Sequence, residues 1–441
     1  MTEELADATS AEPDAPGAGA VERKSAPRRT YMLVLLLAAL SVSYADRSVI
    51  NVLVPSIKAE FQLADWQLGL LGGAAFALLY SAAALPLAKL ADRVNRINIL
   101  SIAIAVWSVM TTLSGAATSF VQMLLIRAGV GVGEAAGHPL SQSLIADVYE
   151  PRKRATALAI YSSGTAIGTF LGLMIGGWIT QWYGWRAAFF VLGLPGLLLA
   201  VLIKLTVREP RRGLSEHLKD SDARSTVMEV LRLVRTRPTF IHVVAGNAVA
   251  AIGAFGEALW LPSFLVRSHG MSVGQVGTLL GGAFLVAGLI SQIGGARLAD
   301  LLGRNDARRS LAAPALIITI GLPVHMAAFL VGPTWLAVLL LFFGHVAASP
   351  YPGPVYSAIQ GVVGLRQRAV AAAILLVVVN FIGMGLGPLL VGGLSDALKS
   401  ALGSDSLRVA LILIAVTRLW AGLHFYLASR SLVRDVARRP A

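Results

Sequence analysis

Long apolar runs alternate with short polar segments along the whole chain. Twelve of these runs are long enough to cross about 30 Å of hydrocarbon, which takes around 20 helical residues. They lie at 31–57, 66–92, 97–116, 119–149, 154–182, 186–206, 239–267, 273–301, 308–331, 334–360, 367–397 and 405–430. The pattern predicts an all-α membrane protein with twelve transmembrane helices.

A polar segment divides these helices into two groups of six. It reads "REPRRGLSEHLKDSDARS" from Arg208 onward. We therefore expect an N-terminal six-helix bundle at 31–206, a cytoplasmic linker at 207–238 and a C-terminal six-helix bundle at 239–430. Residues 1–30 and 431–441 are predicted to be cytoplasmic tails. The first tail is expected to be disordered, because it is acidic, then Ala/Pro/Gly-rich, then basic, with no secretory-signal pattern.

Composition supports a chain that is solvated by lipid. Hydrophobic residues make up 56% and charged residues 14% of the sequence, and the mean hydropathy is +0.70. Too little polar surface is available to keep such a chain in water. The chain contains no cysteine, so a disulfide framework is excluded. The net charge of +13 lies in short clusters between apolar runs, which indicates membrane topology and not nucleic-acid binding.

The positions of Lys and Arg predict the orientation. With the N-terminus inside, the inner loops, tails and linker hold 29 of the 37 basic residues, and the outer loops hold five. Cytoplasmic loops of membrane proteins carry this excess of positive charge. We expect a multi-pass protein of the inner or plasma membrane with both termini in the cytoplasm.

The two halves of the chain repeat each other. "AKLADRVNR" at 88–96 aligns with "ARLADLLGR" at 296–304, and "PRKRATALAI" at 151–160 aligns with "LRQRAVAAAI" at 365–374. Both pairs lie at equivalent places, about 210 positions apart, as in transporters that are built from repeats with a substrate site between them near the bilayer midplane. The repeat predicts two pseudo-symmetric halves.

Charged residues interrupt the first and fourth runs near their middles. Asp46 and Arg47 are adjacent in the first run, whereas Arg127 and Glu134 lie in the fourth. A charge at the bilayer centre costs roughly 2.5–3.5 kcal/mol on insertion scales, so these side chains should face the bundle interior or a wet cavity. Arg127, Glu134, His138 and Ser141 are spaced to share one helical face.

We interpret this set as a proton-coupling centre. A buried carboxylate can take up a proton near neutral pH, whereas an arginine keeps its charge. The alternative is that these charges form only a structural network of ion pairs. The predicted proton-coupling residues are Asp46, Glu134, Arg47 and Arg127.

Further candidates are predicted to bind substrate. Arg47 and Arg127 would hold an anionic head group, and Tyr80, Phe255 and Trp260 would contact a chain. His138 has the alternative of a hydrogen-bonded histidine in the interior. Glu257 has the alternative of a solvated carboxylate. Three prolines in "SPYPGPVY" at 349–356 predict a break in the tenth helix, which is tolerated where backbone faces a cavity. The predicted substrate-binding residues are Arg47, Arg127, His138, Tyr80, Asn247, Phe255, Glu257, Trp260, Tyr351 and Tyr356.

Other polar residues in the spans receive no role. Arg418 in the twelfth span is expected to form a buried pair or to extend toward the membrane surface. His242, His325, His345 and His424 lack metal-ligand spacing, so no metal site is predicted.

The first repeated loop resembles a signature of the major facilitator superfamily, a Gly-x-x-x-Asp-Arg-x-Gly-Arg-Arg pattern between spans two and three. Asp92, Arg93 and Arg96 match it, whereas Ala88, Asn95 and Ile97 depart from it. "GTFLGLMIGGW" at 168–178 is similar to the glycine motif in span five of antiporters, without its usual proline. The resemblance implies a cavity lined by spans one, four, seven and ten, and a cytoplasmic gate. The predicted gate residues are Asp92, Arg93, Arg96, Arg152, Arg154, Asp300 and Arg304.

Within the superfamily the chain resembles the Spinster family. "YADRSVIN" in span one, "RAGVGVGEA" at 127–135 and "WLPSFLVRSHGMS" at 260–272 carry this resemblance. A neighbouring family of organic-anion–proton symporters shares the Asp-Arg pair, but its tryptophan-proline signature after span four is replaced here by "ADVYEP". The Spinster resemblance implies a substrate like lysolipids or sphingoid phosphates.

The combined expectation is a proton-coupled secondary transporter that moves an amphiphilic, anionic, lipid-like or organic substrate by alternating access. An organic-anion–proton symporter or a drug–proton antiporter is the alternative. An enzyme is disfavoured, because the chain lacks His-Glu-x-x-His, Gly-x-Ser-x-Gly and cysteine. ATP-driven pumping is disfavoured as well, because an ATP-binding phosphate loop is missing. We expect a monomer in the lipid bilayer that binds protons and a small amphiphile, with no cofactor and no nucleic-acid partner.

Overall fold

The computed structural model describes residues 18–91, 93–210, 227–304, 306–364 and 367–438. Across these ranges the chain is helical and contains no strand. Eleven helical stretches are long and apolar enough to cross a membrane. The last of them, Val370–Ala437, has 68 residues, and a 3₁₀ turn at Gly403–Asp405 interrupts it. It therefore makes two passes, and the predicted twelve-helix all-α membrane fold is confirmed.

We number the spans α1 to α12 in chain order. The first six are Ala18–Phe61, Asp65–Ala91, Arg96–Ser114, Phe120–Val148, Pro151–Tyr183 and Trp185–Thr206. The last six are Pro238–His269, Val273–Gly303, Arg309–Leu330, Thr334–Val362, 368–402 and 406–437. A linker helix, Val227–Arg235, precedes α7. The helix α1 begins at Ala18, inside the predicted N-terminal tail, and α12 continues to Ala437, inside the predicted C-terminal tail. The predicted domain boundaries stay a prediction.

Four spans are irregular near their middles. The helix α4 is interrupted between Glu134 and Gly137, and α10 is interrupted between Ala348 and Pro352, as its prolines predict. The helices α2 and α11 contain π-helical turns at Leu70–Ala74 and Val379–Met384. Breaks and π-turns of this kind occur often at functional sites.

The two ends of the bundle differ in how closely the halves approach. We call the end where α1 begins and α12 finishes the tail end, and the opposite end the far end. At the far end Trp178 Nε1 of α5 donates to Thr278 Oγ1 of α8 at 2.8 Å, and the Gly274 amide donates to Gln181 Oε1 at 3.1 Å. Further along α8 toward the tail end, a Cβ added to Gly288 would meet no atom within 4 Å. The gap between α5 and α8 therefore widens toward the tail end.

Candidate functional site

Two cavities lie in the interior of the bundle and adjoin at Tyr44, which lines both. The smaller cavity has a volume of about 420 Å³ and is bounded mainly by α1, α2 and α4, with α11 as the opposite wall. The larger cavity has a volume of about 750 Å³ and lies between α5 and the helices α7, α8, α10 and α12. Its lining reaches Ala159 of α5 and Ile293 of α8, each within about three turns of the tail end. The molecule is thus closed at the far end and open toward the tail end.

The first charged pair lies outside both cavities. Asp46 of α1 is 1% exposed and accepts hydrogen bonds from Arg127 of α4 at 3.0 Å and from Thr111 of α3 at 2.5 Å. Arg127 is 2% exposed. Neither side chain lines either cavity. The pair therefore joins three helices of the N-terminal half. A ligand in either cavity would not contact it.

The second pair forms a wall of the smaller cavity. Arg47 Nε donates to Glu134 Oε2, and Ser43 Oγ donates to the same oxygen at 2.9 Å. Ser43, Arg47 and Glu134 all line the cavity. Glu134 is 2% exposed, and its Oε1 has no hydrogen-bond partner among the described residues. A buried carboxylate oxygen without a partner is unfavourable, so the arrangement around Glu134 needs an explanation.

Three aromatic rings surround the guanidinium of Arg47. Its central carbon lies 5.2 Å from the ring centre of Tyr44, 4.8 Å from Phe76 and 5.0 Å from Tyr80. Cation–π contacts at such distances hold an arginine while leaving its N–H groups free for an anion. The predicted contact residue Tyr80 therefore belongs to this cavity together with Arg47.

His138 lies one turn beyond Glu134, past the break in α4, and lines the same cavity. Its Nδ1 is 3.3 Å from the hydroxyl of Tyr161, and its Nε2 is 3.0 Å from Gln142 Nε2. On the opposite wall, Asn380 of α11 contributes a polar side chain from the C-terminal half. A ligand in the smaller cavity can thus contact polar groups of both halves.

A third charged cluster lines the larger cavity. Glu257 of α7 is 3% exposed, and its Oε2 accepts a hydrogen bond from Arg418 of α12 at 2.5 Å. His325 Nε2 of α9 lies 3.1 Å from the same oxygen. Arg418 is therefore a buried ion-pair partner, one of the two expectations for it, and Glu257 is not solvated at the protein surface. Both line the cavity, together with the predicted residues Phe255 and Tyr351.

Besides Arg127, three predicted substrate-binding residues line neither cavity. Asn247 of α7 is buried, and Tyr356 of α10 is half-buried. Trp260 is buried at the far end, where its Nε1 donates to the Pro388 carbonyl of α11 at 2.9 Å. Trp260 thus packs one half against the other, and the predicted contact with a substrate chain is not formed in either cavity.

The far end is closed by a group of polar contacts that we call the far-end clamp: Lys58, Asp65, Arg267, Ser395 and Asp396. The carboxylate of Asp65 is buried and accepts from Lys58, from both terminal nitrogens of Arg267 at 3.0 Å each, and from Ser395 at 2.7 Å. The Asp396 carboxylate accepts from the amides of Asp65 at 3.0 Å and Trp66 at 2.8 Å, which begin α2. Each half thus contributes a carboxylate that the other half binds.

Comparison with known proteins decides the family. The model of the Major Facilitator Superfamily matches residues 36–388. The chain belongs to this superfamily. It is 33% identical over 414 residues to an MFS-type efflux pump of Mycolicibacterium smegmatis, covering 93% of this chain and 95% of the relative. It is 26% identical over 436 residues to Protein spinster homolog 1 of Xenopus laevis, covering 92% and 82%.

A solved structure resembles the whole chain. It is a bacterial homolog of the human lysosomal transporter Spinster in an inward-facing, unoccupied conformation, with a TM-score of 0.82, 30% identity and coverage of 93% of this chain and 98% of that one. The resemblance to the Spinster family is therefore confirmed. The chain is a multi-pass membrane transporter of a small molecule and not an enzyme.

The predicted gate residues occupy the tail end of this transporter. Asp92 lies outside the described residues. Arg93, Arg152, Asp300 and Arg304 are exposed, and Arg154 is half-buried. Their exposure agrees with an open tail end, and their role in closing it stays a prediction.

Arg96 differs from the other gate residues because it is buried. It bonds to Asp147 at 2.6 Å, Glu209 at 2.9 Å and Ser143 at 2.8 Å. These contacts tie the start of α3 to α4 and to the beginning of the linker. Arg96 therefore organises the N-terminal half in this conformation.

Two residues of these polar clusters, Asp65 and His325, were missed by reading the sequence. Asp65 carries no motif, and its position just before an apolar run is typical of a helix cap. His325 was given no role, because a single histidine in a span has no spacing that points to a partner. Thr111 and His325 both lie on the third helix of their half, and each contacts the acidic residue on the first helix of that half.

Proposed function

We propose that this transporter couples the movement of protons to that of an anionic amphiphile by alternating access, with Glu134 as the proton carrier and Arg47 as the anion site. The observation that carries the proposal is the Glu134 carboxylate on the wall of the smaller cavity. One oxygen is bound by Arg47 and Ser43, and the other is buried without a partner among the described residues.

The coupling follows from charge balance. With Glu134 ionised, its negative charge balances Arg47, and an added anion would meet a carboxylate at close range. When Glu134 takes up a proton, Arg47 keeps its positive charge in a site of low dielectric, where an unpaired charge costs several kcal/mol. An anion that enters the cavity then replaces the carboxylate as the partner of Arg47. A proton and an anion therefore bind together, whereas a cation and a proton compete.

The lining of the smaller cavity supports an anionic group on an apolar body. Only Nε of Arg47 is used by Glu134, so the two terminal nitrogens of the guanidinium can bind a phosphate or carboxylate in a bidentate manner. Apolar side chains of α1, α2 and α11 complete the lining, among them Leu40, Ala84 and Leu376. This combination favours a lipid-like anion, in agreement with the similarity to Spinster proteins.

Asp46 and Arg127 take a different role in this proposal. Their buried pair holds α1 against α3 and α4, so that Arg47 and Glu134 meet at a fixed distance. The head-group role predicted for Arg127 is assigned to Arg47 alone.

The orientation completes the proposal. The tail end carries the excess of Lys and Arg, so we assign it to the cytoplasm together with both termini. The conformation described above then corresponds to an inward-facing transporter, like its solved relative.

A drug–proton antiporter is the second candidate, favoured by the 33% identity to an MFS-type efflux pump. The pH dependence of binding separates the two functions, because an anion should bind more tightly as the pH falls and a cation more tightly as it rises.

The experiment begins with a thermal-shift screen of the purified protein against lysophospholipids, sphingoid phosphates, dicarboxylates and cationic drugs, since a ligand of the native state raises apparent stability by mass action. The affinity for the best ligand is then measured at mildly acidic and mildly alkaline pH in the wild type and in Glu134→Gln. We expect an anionic ligand whose affinity rises on acidification in the wild type and is independent of pH in the variant. Selective binding of a cation that weakens on acidification would overturn the anion assignment.

A further inference from the structure

His325 is a buried polar group that the proposed function does not use. It is 1% exposed, and neither ring nitrogen makes a hydrogen bond with a described residue. Its Nε2 lies 3.1 Å from Glu257 Oε2 without being aligned as a hydrogen bond, and its Nδ1 faces Gly344 of α10. Burying an imidazole with both nitrogens unsatisfied is costly, so the arrangement needs an explanation.

We propose that His325 and Glu257 form a second proton-binding centre, in the C-terminal half, which biases the same equilibrium between open and closed states. The inference rests on the proposed proton coupling, because both centres act on one conformational change. A proton on His325 converts its close approach to Glu257 into a charge-assisted contact between an imidazolium and a carboxylate. The ligand of this centre is a proton alone.

The space around the free carboxylate oxygen of Glu257 suits a proton and is too small for a larger ligand. Glu257 Oε1 is buried and has no hydrogen-bond partner in the described part of the chain. Nothing larger than a proton can reach this oxygen without a rearrangement of the helices. The path for a proton is short, because Glu257, His345 and Arg418 line the larger cavity, which extends toward the tail end.

The charged and titratable groups beside the pair come from α10 and α12. Arg418 of α12 bonds to Glu257, His345 of α10 lies on the cavity wall, and Tyr351 of α10 lines the same cavity. With His325 neutral, Glu257 and Arg418 balance each other. Protonation of His325, which lies behind Glu257 and does not itself line the cavity, adds one net positive charge beside the cavity wall.

The added charge gives the proposal a direction. The opposite wall of the larger cavity is α5 of the N-terminal half, so closing the tail end removes water from between the walls. A net charge is less stable in the dry, closed cavity than in the open one. Protonation of this centre therefore favours the state that is open at the tail end, and acidification should shift the population toward it.

The test measures the distance across the tail end as a function of pH. The chain has no cysteine, so cysteines at the exposed positions Ala155 of α5 and Leu301 of α8 accept spin labels without a background. Distance distributions are recorded by double electron–electron resonance, without ligand, in wild type, Glu134→Gln, Glu134→Gln with His325→Gln, and Glu134→Gln with Glu257→Gln. Glutamine keeps a hydrogen-bonding group at each position and removes the titration.

We expect Glu134→Gln to retain part of the wild-type pH shift, with acid favouring the longer distance. We call this retained part the remainder, and we expect both double variants to lose it. Two double variants are used because a substitution at the buried His325 can impair folding. His424→Gln serves as the matched control in the same background, because His424 is a half-buried histidine of α12 that pairs with His242 and lines neither cavity. The control should leave the remainder unchanged.

The outcomes separate this inference from the proposed function. A flat response in Glu134→Gln alone overturns the second centre and supports the proposed role of Glu134. A remainder that survives in both double variants also overturns the second centre. A full wild-type response in Glu134→Gln that both double variants abolish refutes Glu134 as the carrier and supports the second centre.

Discussion

The two halves of the transporter use the same scaffold to hold an acidic residue and give it different surroundings. Asp46 on α1 accepts a hydrogen bond from Thr111 on α3, and Glu257 on α7 contacts His325 on α9, the equivalent helix of the other half. An arginine completes each cluster. It comes from α4 in the N-terminal half and from α12 in the C-terminal half.

The difference lies in what faces the cavity. In the N-terminal half Asp46 is shut away from both cavities, and the next residue, Arg47, turns toward the smaller cavity and meets Glu134. In the C-terminal half Glu257 itself lines the larger cavity, and its titratable neighbour is a histidine where the N-terminal half has a threonine. A position in the repeat therefore does not determine a role. Two features differ between the clusters: the helix face that the carboxylate occupies and the partner opposite to it. They decide whether the cluster is sealed in the protein or faces a cavity.

The largest expected effect separates a sealed ion pair from one beside a cavity. Arg127→Met leaves Asp46 buried without its cation, which should lower the free energy of unfolding by about 3–5 kcal/mol. Arg418→Met should cost less, because Glu257 lies on a cavity wall and keeps His325, 3.1 Å away, as a second partner. Denaturant unfolding in detergent, followed by circular dichroism, measures both. Equal losses would mean that the two pairs are equally sealed, and Asp46→Asn combined with Arg127→Met should recover most of the first loss.

The next prediction concerns Glu134, the proposed proton carrier. If one proton accompanies each anion, a gradient of one pH unit drives about tenfold accumulation. Glu134→Gln should abolish this accumulation in proteoliposomes while leaving downhill exchange of the anion intact. Glu60→Gln is the control, since Glu60 is an exposed carboxylate at the far end that pairs with Arg186. Accumulation at the wild-type level in Glu134→Gln would show that the proton travels elsewhere.

The two arginines of the N-terminal half should respond differently to the same substitution. Arg47→Lys replaces a planar fork with a point charge in the smaller cavity and should weaken binding of the anionic ligand by about 1 kcal/mol, or roughly fivefold. Arg127→Lys should leave the affinity unchanged, because Arg127 lines neither cavity. Isothermal titration of both variants gives the comparison. A weaker affinity in Arg127→Lys than in Arg47→Lys would restore the head-group role first predicted for Arg127.

The helices could be predicted from the sequence because length and hydropathy suffice for a span. The break in α10 was also predictable, since Pro350, Pro352 and Pro354 remove backbone donors. The break in α4 was not, because Ala135 and Ala136 favour a helix and the interruption depends on packing. The glycines of α4 do indicate close packing, and a Cβ on Gly133 would lie 2.8 Å from the backbone of Trp107.

The candidate site was predictable in its members but not in its pairings. Spacing predicted that Asp46, Arg47, Arg127 and Glu134 lie near the middles of their spans, and two carboxylates with two arginines allow more than one set of ion pairs. The rotation of α1 about its axis decides that Asp46 meets Arg127 and Arg47 meets Glu134, and side-chain packing sets that rotation. Contacts between the halves, such as the far-end clamp, were beyond reach because no local pattern specifies a partner that is hundreds of residues away.

The smallest expected effect tests the far-end clamp, where each half binds a carboxylate of the other. Asp65 of the N-terminal half is bound by Arg267 and Ser395 of the C-terminal half, and Asp396 of the C-terminal half caps the start of α2. A negative charge at a helix N-terminus contributes about 0.3–1 kcal/mol.

Asp396→Asn removes this charge and keeps an acceptor oxygen for only one of the two amides, which Oδ1 and Oδ2 of Asp396 bind separately, so it should shift the equilibrium toward an open far end. Spin labels at the exposed positions Tyr183 of α5 and Ser400 of α11 should report a larger fraction of long distances in the variant. Asp405→Asn is the matched control, because Asp405 pairs with Arg408 inside the C-terminal half at the same end. If Asp405→Asn shifts the distances as much as Asp396→Asn does, the effect comes from charge at the far end in general, and the reciprocal capping between the halves is not what holds that end closed.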